Sequence, residues 1–335
     1  MNSLENTCYK SHQIFTKPKI KYLLPAFVAG IIFLGIIYNR NSTDNILPDS
    51  TNYFVPTDSL DSSSLRDSIS NWIKIEEDVK VKQFFPFLDN LVANCDTFKN
   101  WEINEYIIVH ANSWIIDSLR SFDYYILKEK GIFNYDQKEL VILHKGDSLA
   151  IPDSTYASAI QKKLSTSVID VNIPEFTLKL YQMDDTLLIC PVRVGRNAKK
   201  YIYVIDRTID LKTPVGEGKI IRIDRMHKVI NLDTGVEYIG TNRDDGKFTK
   251  MPIIPWIEPE INGIQYGAMI HPTTNPNTLG KAYSHGCVGT TESDAWMIYY
   301  NAPIGTKVIF RYDLSVINER GDTVELEDIY GLRKK

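Results

Sequence analysis

The chain has 335 residues, 43% of them apolar, which is enough to bury at least one sizeable core in one or two domains and marks the chain as globular. Thirty-eight Lys and Arg against 42 Asp and Glu give a net charge of −4. With short basic clusters but no basic face, nothing in that balance points to a nucleic-acid backbone as partner.

Residues 1–21 read as a cytoplasmic tail. From Tyr22 to Tyr38 the run YLLPAFVAGIIFLGIIY carries no charge. As a helix it would be about 26 Å long, close to the thickness of a bilayer's hydrocarbon core. Lys17, Lys19 and Lys21 precede it and Arg40 follows, which predicts an N-terminus inside and a body outside a cytoplasmic (inner) membrane. A cleaved signal peptide would need a small-x-small site after the apolar run, and Tyr38-Asn39-Arg40-Asn41 has none, so an uncleaved anchor is favoured. Residues 39–64, rich in Ser, Thr, Asp, Asn and Pro, read as a flexible linker. Cys8 then falls inside, leaving Cys95, Cys190 and Cys287 outside, an odd number. Either two of these pair or all three stay reduced; the apolar runs around Cys95 and Cys190 favour small buried hydrophobes over a bridge.

Residues 65–152 read as a small α+β support region. Leu65, Ile69, Trp72 and Ile73 recur at helical spacing, as do Phe87, Leu88, Leu91, Val92 and Cys95, predicting two short amphipathic helices. Tyr106 to Val109, Tyr124 to Leu127 and Leu140 to Leu143 read as strands. The passage from Gly146-Asp147-Ser148-Leu149 to Ile151-Pro152 resembles the two ends of a LysM glycan-binding repeat, without its two-helix middle.

From Val168 the text is rich in strands and turns. Phe176 to Tyr181 alternates and Thr186 to Val194 resumes, with Pro191 implying an edge strand or bulge. Tyr201 to Ile205, Lys219 to Ile223 and Lys307 to Tyr312 are further strands. Asn262-Gly263 is a strong two-residue turn signal and Asp245-Gly246 a weaker one. One helix follows Cys287, opened by a capping pair at Thr291 and Asp294 and ended by Pro303 and Gly305. Residues 313–335 form a C-terminal extension.

The densest group of chemically able side chains is His271 with Ser284, His285 and Cys287, in a Gly, Asn and Pro-rich stretch between strands. An isolated thiol is only a few per cent thiolate at neutral pH, so Cys287 needs a base, which a histidine can supply. Full deprotonation gains at most about 30-fold, whereas positioned N–H donors at a developing oxyanion are typically worth about 10² to 10³. Gly286 lets the chain turn tightly beside the sulphur, so the amides of Gly286 and Cys287 are candidate oxyanion donors.

In content and spacing, several passages resemble the L,D-transpeptidase catalytic domain family, also called YkuD-like, over residues 168–312. These are Met269-Ile270-His271, Thr273, Asn275-Pro276, Leu279-Gly280-Lys281 and Ser284-His285-Gly286-Cys287-Val288, with Thr213-Pro214-Val215-Gly216 upstream and Asp294-Ala295 and Gly305-Thr306-Lys307-Val308 downstream. The resemblance implies a mainly β sandwich or barrel with one or two short helices, here preceded by the transmembrane helix and the support region. It implies a peptidoglycan L,D-transpeptidase in which Cys287 attacks the carbonyl of the third stem residue and His271 is general base and acid. His285 would line the pocket, and Ser284, Tyr266, Thr273 and Asn275 would contact the stem peptide. No cofactor or metal is implied, and carbapenem-type inhibitors are expected to acylate Cys287. Water in place of the acceptor amine would make the same machinery an L,D-carboxypeptidase. A non-catalytic wall-binding scaffold is the alternative of another class, and zinc held by His271, His285 and Cys287 lacks a fourth ligand at a familiar spacing.

Two positions depart from the family pattern. Gly289 stands where the family usually carries Arg or Asn, and Pro272 where it has Gly or Ser, although a proline carbonyl still accepts a hydrogen bond from the imidazole. Arg193, Arg196, Lys199, Lys200, Arg207 and Lys212 read as a solvated basic edge. Trp256, Trp296 and Tyr299 read as core aromatics.

Overall fold

A computed structural model describes residues 69–98, 101–203, 206–231, 233–318 and 320–333. The predicted tail, membrane span and linker lie outside these residues. Among the described residues no helix is long and apolar enough to cross a membrane.

The first segment runs β1 (Ile69–Lys74), β2 (Val79–Lys80), α1 (Val81–Phe98), α2 (Glu105–Ala111), α3 (Trp114–Ser121), α4 (Tyr124–Glu129), β3 (Val141–Leu143), β4 (Ser148–Pro152) and α5 (Ser154–Ser165). The helix predicted around Ile69 and Ile73 is strand β1, antiparallel to β4. A spacing of four residues is one helical turn and also two strand repeats, so the pattern could not separate the two. The strands predicted at Tyr106 to Val109 and Tyr124 to Leu127 are instead helices α2 and α4. Each is opened by a capping residue: Asn104 accepts from the amide of Ile107 at 3.0 Å and Asp123 from that of Tyr125 at 2.8 Å. Those caps outweigh the β-branched and aromatic composition of two short runs. The helix predicted at Phe87 to Cys95 lies within α1, and the strand predicted at Leu140 to Leu143 is β3.

The second segment holds β5 (Val168–Asn172), β6 (Thr177–Gln182), β7 (Asp185–Pro191), β8 (Val194–Gly195), β9 (Lys199–Ile202), β10 (Arg207–Asp210), β11 (Gly216–Asp224), β12 (Gly240–Asn242) and β13 (Phe248–Lys250). After these come β14 (Trp256–Ile261), β15 (Ile270–Pro272), β16 (Ala282–Ser284), β17 (Val288–Thr290), α6 (Glu292–Asn301), β18 (Lys307–Arg311), β19 (Ser315–Ile317) and β20 (Thr323–Glu325). Eight strands form one sheet in the order β17-β15-β14-β11-β18-β5-β6-β7. It is antiparallel except at β15 with β17 and at β18 with β5. Pro191 closes edge strand β7, where a missing N–H breaks no ladder bond. Just beyond it, Arg193 and Gly289 exchange both backbone hydrogen bonds at 2.9 Å, so the two ends of the sheet meet and the sheet is nearly closed. The domain is therefore mainly β with few helices.

The Asn262-Gly263 turn forms with both residues at positive φ, 53° and 74°, as a type I′ turn requires. Its return strand is reduced to a single bridge between Ile261 and Ile264.

One apolar core joins both segments, with Phe84, Leu88, Ile108 and Leu143 from the first and Ile169, Leu178, Trp296, Tyr299 and Phe310 from the second. Cys95 and Cys190 are buried thiols within it. A buried polar clamp reinforces this junction at the start of α6. The Glu292 carboxylate accepts from Arg243, from Gln137 Nε2 at 2.7 Å and from the amide of Tyr124 at 3.0 Å, while Asp123 accepts from the amide of Ser293 at 3.0 Å. The support segment thus holds the helix that follows Cys287.

Candidate active site

His271 is the middle residue of β15, and it sits opposite Gly289 in the parallel pair with β17. Cys287 immediately precedes β17, so this pairing sets it beside the start of β15, the strand that carries His271. The loop signature around Cys287 and the strand signature around His271 meet because β15 and β17 run parallel.

His271 is 6% exposed. Its Nδ1 lies 2.8 Å from the carbonyl oxygen of Pro272. A carbonyl can only accept, so Nδ1 carries the proton and Nε2 keeps its lone pair for a thiol proton. The departure at Pro272 thus retains the tautomer lock. Trp256, at the start of β14, stacks on the imidazole with centroids 3.7 Å apart. Burial, and then the charge of Arg193, hold the imidazole down at about 3, so it is neutral at physiological pH.

Cys287 is half-buried. Its sulphur receives the amide of Met269 at 3.4 Å and lies 3.8 Å from the carbonyl of Gly267. Burial pushes the thiol up, and the Met269 amide and the Arg193 charge pull it back. The resting pair is therefore neutral thiol and neutral imidazole.

The turn before Cys287 is held from several sides. Gly286 sits at φ +111°, a conformation open to glycine and strained for other residues. Ser284 Oγ donates to the carbonyl of Cys287 at 2.6 Å and accepts from the amide of Gly286 at 3.2 Å. That amide is therefore already engaged, and of the two candidate oxyanion donors only the amide of Cys287 has no protein acceptor among the described residues. Thr213, from the upstream motif, donates its hydroxyl to the carbonyl of Gly286 at 3.0 Å and accepts from the amide of Gly195 at 2.9 Å. Tyr330, in the C-terminal extension, donates to the carbonyl of Gly195 at 2.6 Å and accepts from the amide of Thr213 at 3.1 Å. Neither anchoring role was visible in the sequence, where Thr213 was motif text and Tyr330 lay beyond the domain boundary.

The other predicted residues are spread out. His285 is half-buried and its imidazole is lowered, by burial first and then by Arg196. Tyr266 is 52% exposed. Thr273 is buried, and its hydroxyl accepts from the amide of Asn275 at 3.2 Å, so these two shape the loop after β15. A cavity of about 240 Å³ lined by Tyr125, Thr273, Pro276 and Asp294 includes neither Cys287 nor His271. Trp256 and Arg193 are the site residues that composition and spacing missed, because an isolated indole or guanidinium carries no positional signal.

A family model described as the L,D-transpeptidase catalytic domain (YkuD) matches residues 166–310. No curated protein matches the chain. Among solved structures the chain is similar to an L,D-transpeptidase from Mycobacterium smegmatis, at 16% identity and TM-score 0.30, over 44% of this chain and 58% of that one. It is similar to an L,D-transpeptidase from Xylanimonas cellulosilytica at 12% identity and TM-score 0.32, over 72% and 97% of the two chains. A third likeness is to the catalytic domain of an E. faecium L,D-transpeptidase acylated by ertapenem, at 17% identity and TM-score 0.29, over 43% and 96%. The chain thus spans little more than half the length of the M. smegmatis protein, and the family assignment rests on the family match and the motifs rather than on these likenesses. Residues 166–310 thus match the YkuD family of L,D-transpeptidase catalytic domains.

Proposed function

We propose that this protein is a peptidoglycan L,D-transpeptidase with Cys287 as nucleophile and His271 as general base and acid. The observation that carries the reading is the Nδ1 bond from His271 to Pro272, which leaves Nε2 as the basic nitrogen, on the strand paired with the one that Cys287 leads into. In the first half-reaction the Cys287 proton passes to Nε2 and the sulphur attacks the carbonyl carbon of the third stem residue. The amide of Cys287 is the donor available to the oxyanion. Collapse of the tetrahedral intermediate breaks the bond to the fourth, D-configured residue, whose amine leaves with the proton from Nε2. A thioester remains. In the second half-reaction the side-chain amine of another stem attacks the thioester, gives its proton to His271 and expels the sulphur, forming a link between two third residues. Stem-peptide contacts through Ser284, His285, Tyr266, Thr273 and Asn275, and an extracytoplasmic site held to the membrane by residues 22–38, belong to the same reading.

The test is incubation of the full chain with a disaccharide tetrapeptide, products being resolved by mass. Cross-linked dimers that vanish in Cys287→Ala support the proposal, tripeptide monomers alone would make the enzyme a carboxypeptidase, and unchanged substrate would overturn it. Intact-mass detection of a carbapenem adduct on Cys287 reads the acylation half alone.

A further inference from the structure

The family's polar side chain after Cys-Val is missing at Gly289, but its place is not empty. Arg193 enters from beyond the opposite edge of the sheet, bonded to Gly289 through both backbone hydrogen bonds. Its side chain lies across the glycine: a Cβ on residue 289 would come 2.5 Å from Arg193 Nε and 2.7 Å from its Cγ. No side chain at 289 is compatible with Arg193 where it stands.

The surroundings of this guanidinium are poor in anions. Nη1 donates to Thr278 Oγ1 at a long 3.4 Å, and Nε is buried with no hydrogen-bond partner among the described residues. Among the described residues no carboxylate forms a salt bridge with Arg193; the acidic groups that act on it are the Cys287 thiol and the Tyr283 phenol. A largely desolvated cation without a counter-ion is costly unless an anion forms beside it. The other charged group acting on Cys287 is Glu258 of β14, which opposes a thiolate. Glu258 is itself engaged by Arg222 at 2.6 Å and by Gln265 at 2.7 Å. His271, on the neighbouring strand, is neutral and contributes no charge in the resting site.

We propose that Arg193, seated over Gly289, is the cation that stabilises Cys287 as a thiolate, so that a guanidinium from another strand takes the place of a side chain at 289. Arg193 is a positioning residue in this role: it makes and breaks no bond, the thiol proton goes to His271, and the charge that appears on sulphur is held by Arg193 until it moves to the oxyanion. The inference rests on Cys287 as the nucleophile, but its test does not need transpeptidation.

The experiment is the pH dependence of Cys287 alkylation by iodoacetamide on the full chain, with the site read by peptide mass mapping. Wild type is compared with Arg193→Gln, Arg193→Lys and Gly289→Ala. Arg193→Gln is expected to raise the apparent thiol pKa by about one unit and slow alkylation about tenfold below it, with the high-pH plateau unchanged. Gly289→Ala retains the arginine but evicts it, so it shifts the profile in the same sense; Arg193→Lys retains a cation and most of the wild-type profile. A purely structural role would leave the apparent pKa alone. One pKa shared by all four proteins overturns the proposal, and Gly289→Ala decides the matter if Arg193→Gln does not fold. A shifted profile in a protein that no stem peptide or carbapenem acylates would sink the transpeptidase reading and leave this one standing.

Discussion

Trp256 lies flat against His271, with ring centroids 3.7 Å apart and planes 7° from parallel. His227 stacks on the same indole at 4.0 Å, and two near-parallel imidazoles at such distances can only occupy opposite faces. His227 is in turn held by the Asp224 carboxylate, 3.0 Å from its Nδ1. The stack fixes the plane of the His271 ring while Pro272 fixes its tautomer, so the imidazole is held in one orientation in the resting site.

The low value of His271, about 3 against an ordinary 6.5, makes stability depend on pH. Between those values the unfolded chain binds a proton that the folded chain refuses. The contribution is complete above pH 6.5 and is lost as pH falls towards 3, with a slope of up to about 1.4 kcal/mol per pH unit. Urea unfolding of wild type and His271→Gln between pH 7 and 4.5 should show the steeper loss in wild type. Parallel curves would place the His271 proton elsewhere.

Replacing Trp256 by Leu opens one wall of the imidazole to water. The His271 value then climbs towards 6.5, and the acid limb of the pH profile for carbapenem acylation should move up with it. The rate at pH 7 should fall by about 10- to 100-fold, within the usual worth of a positioned general base. Trp256→Phe keeps a flat apolar wall and should retain most of the wild-type profile.

Thr213 serves the carbonyl of Gly286 and the amide of Gly195 with one hydroxyl. Thr213→Val leaves both buried groups without that partner, at a cost of about 1–3 kcal/mol. Thermal unfolding should show the loss, and acylation should slow because the turn that presents the Cys287 amide is no longer tied down. Thr213→Ser, which keeps the hydroxyl, should recover both. Tyr330→Phe should bring a comparable stability loss, since its hydroxyl serves the carbonyl of Gly195 and the amide of Thr213.

Arg243 and Glu292 form an ion pair whose side chains are 1% and 2% exposed. Glu292→Gln leaves the guanidinium buried opposite a neutral amide, and breaking such a pair costs about 3–5 kcal/mol. The urea midpoint should fall accordingly. The double variant Arg243→Met with Glu292→Leu should restore only part of it, since the apolar pair replaces the ion pair but leaves the Tyr124 amide and Gln137 Nε2 without the carboxylate they donate to.

Much of the site is legible in the chain because its parts are local. Four consecutive residues, Ser284 to Cys287, contain the proposed nucleophile, the glycine that must sit at positive φ and the hydroxyl that ties the turn. The α6 cap is equally local: the Thr291 side chain accepts from the amide of Asp294 at 3.0 Å, as its spacing predicts. Helices α2 and α4 were misread because short apolar runs satisfy both periods and only their caps separate them.

By itself, then, the sequence determined the family resemblance of residues 168–312, the candidate nucleophile and base, and the turns whose backbone conformation one or two residues dictate. Tertiary structure decided what stands around them: Trp256 against the base, Tyr330 beneath the turn, the support segment on Glu292, and Arg193 in the space of Gly289. The reason is physical. A turn or a cap is written in neighbouring φ angles and side-chain oxygens, whereas the Arg193–Gly289 contact exists only because the two ends of an eight-stranded sheet meet, and no short-range pattern encodes which residues meet at that seam.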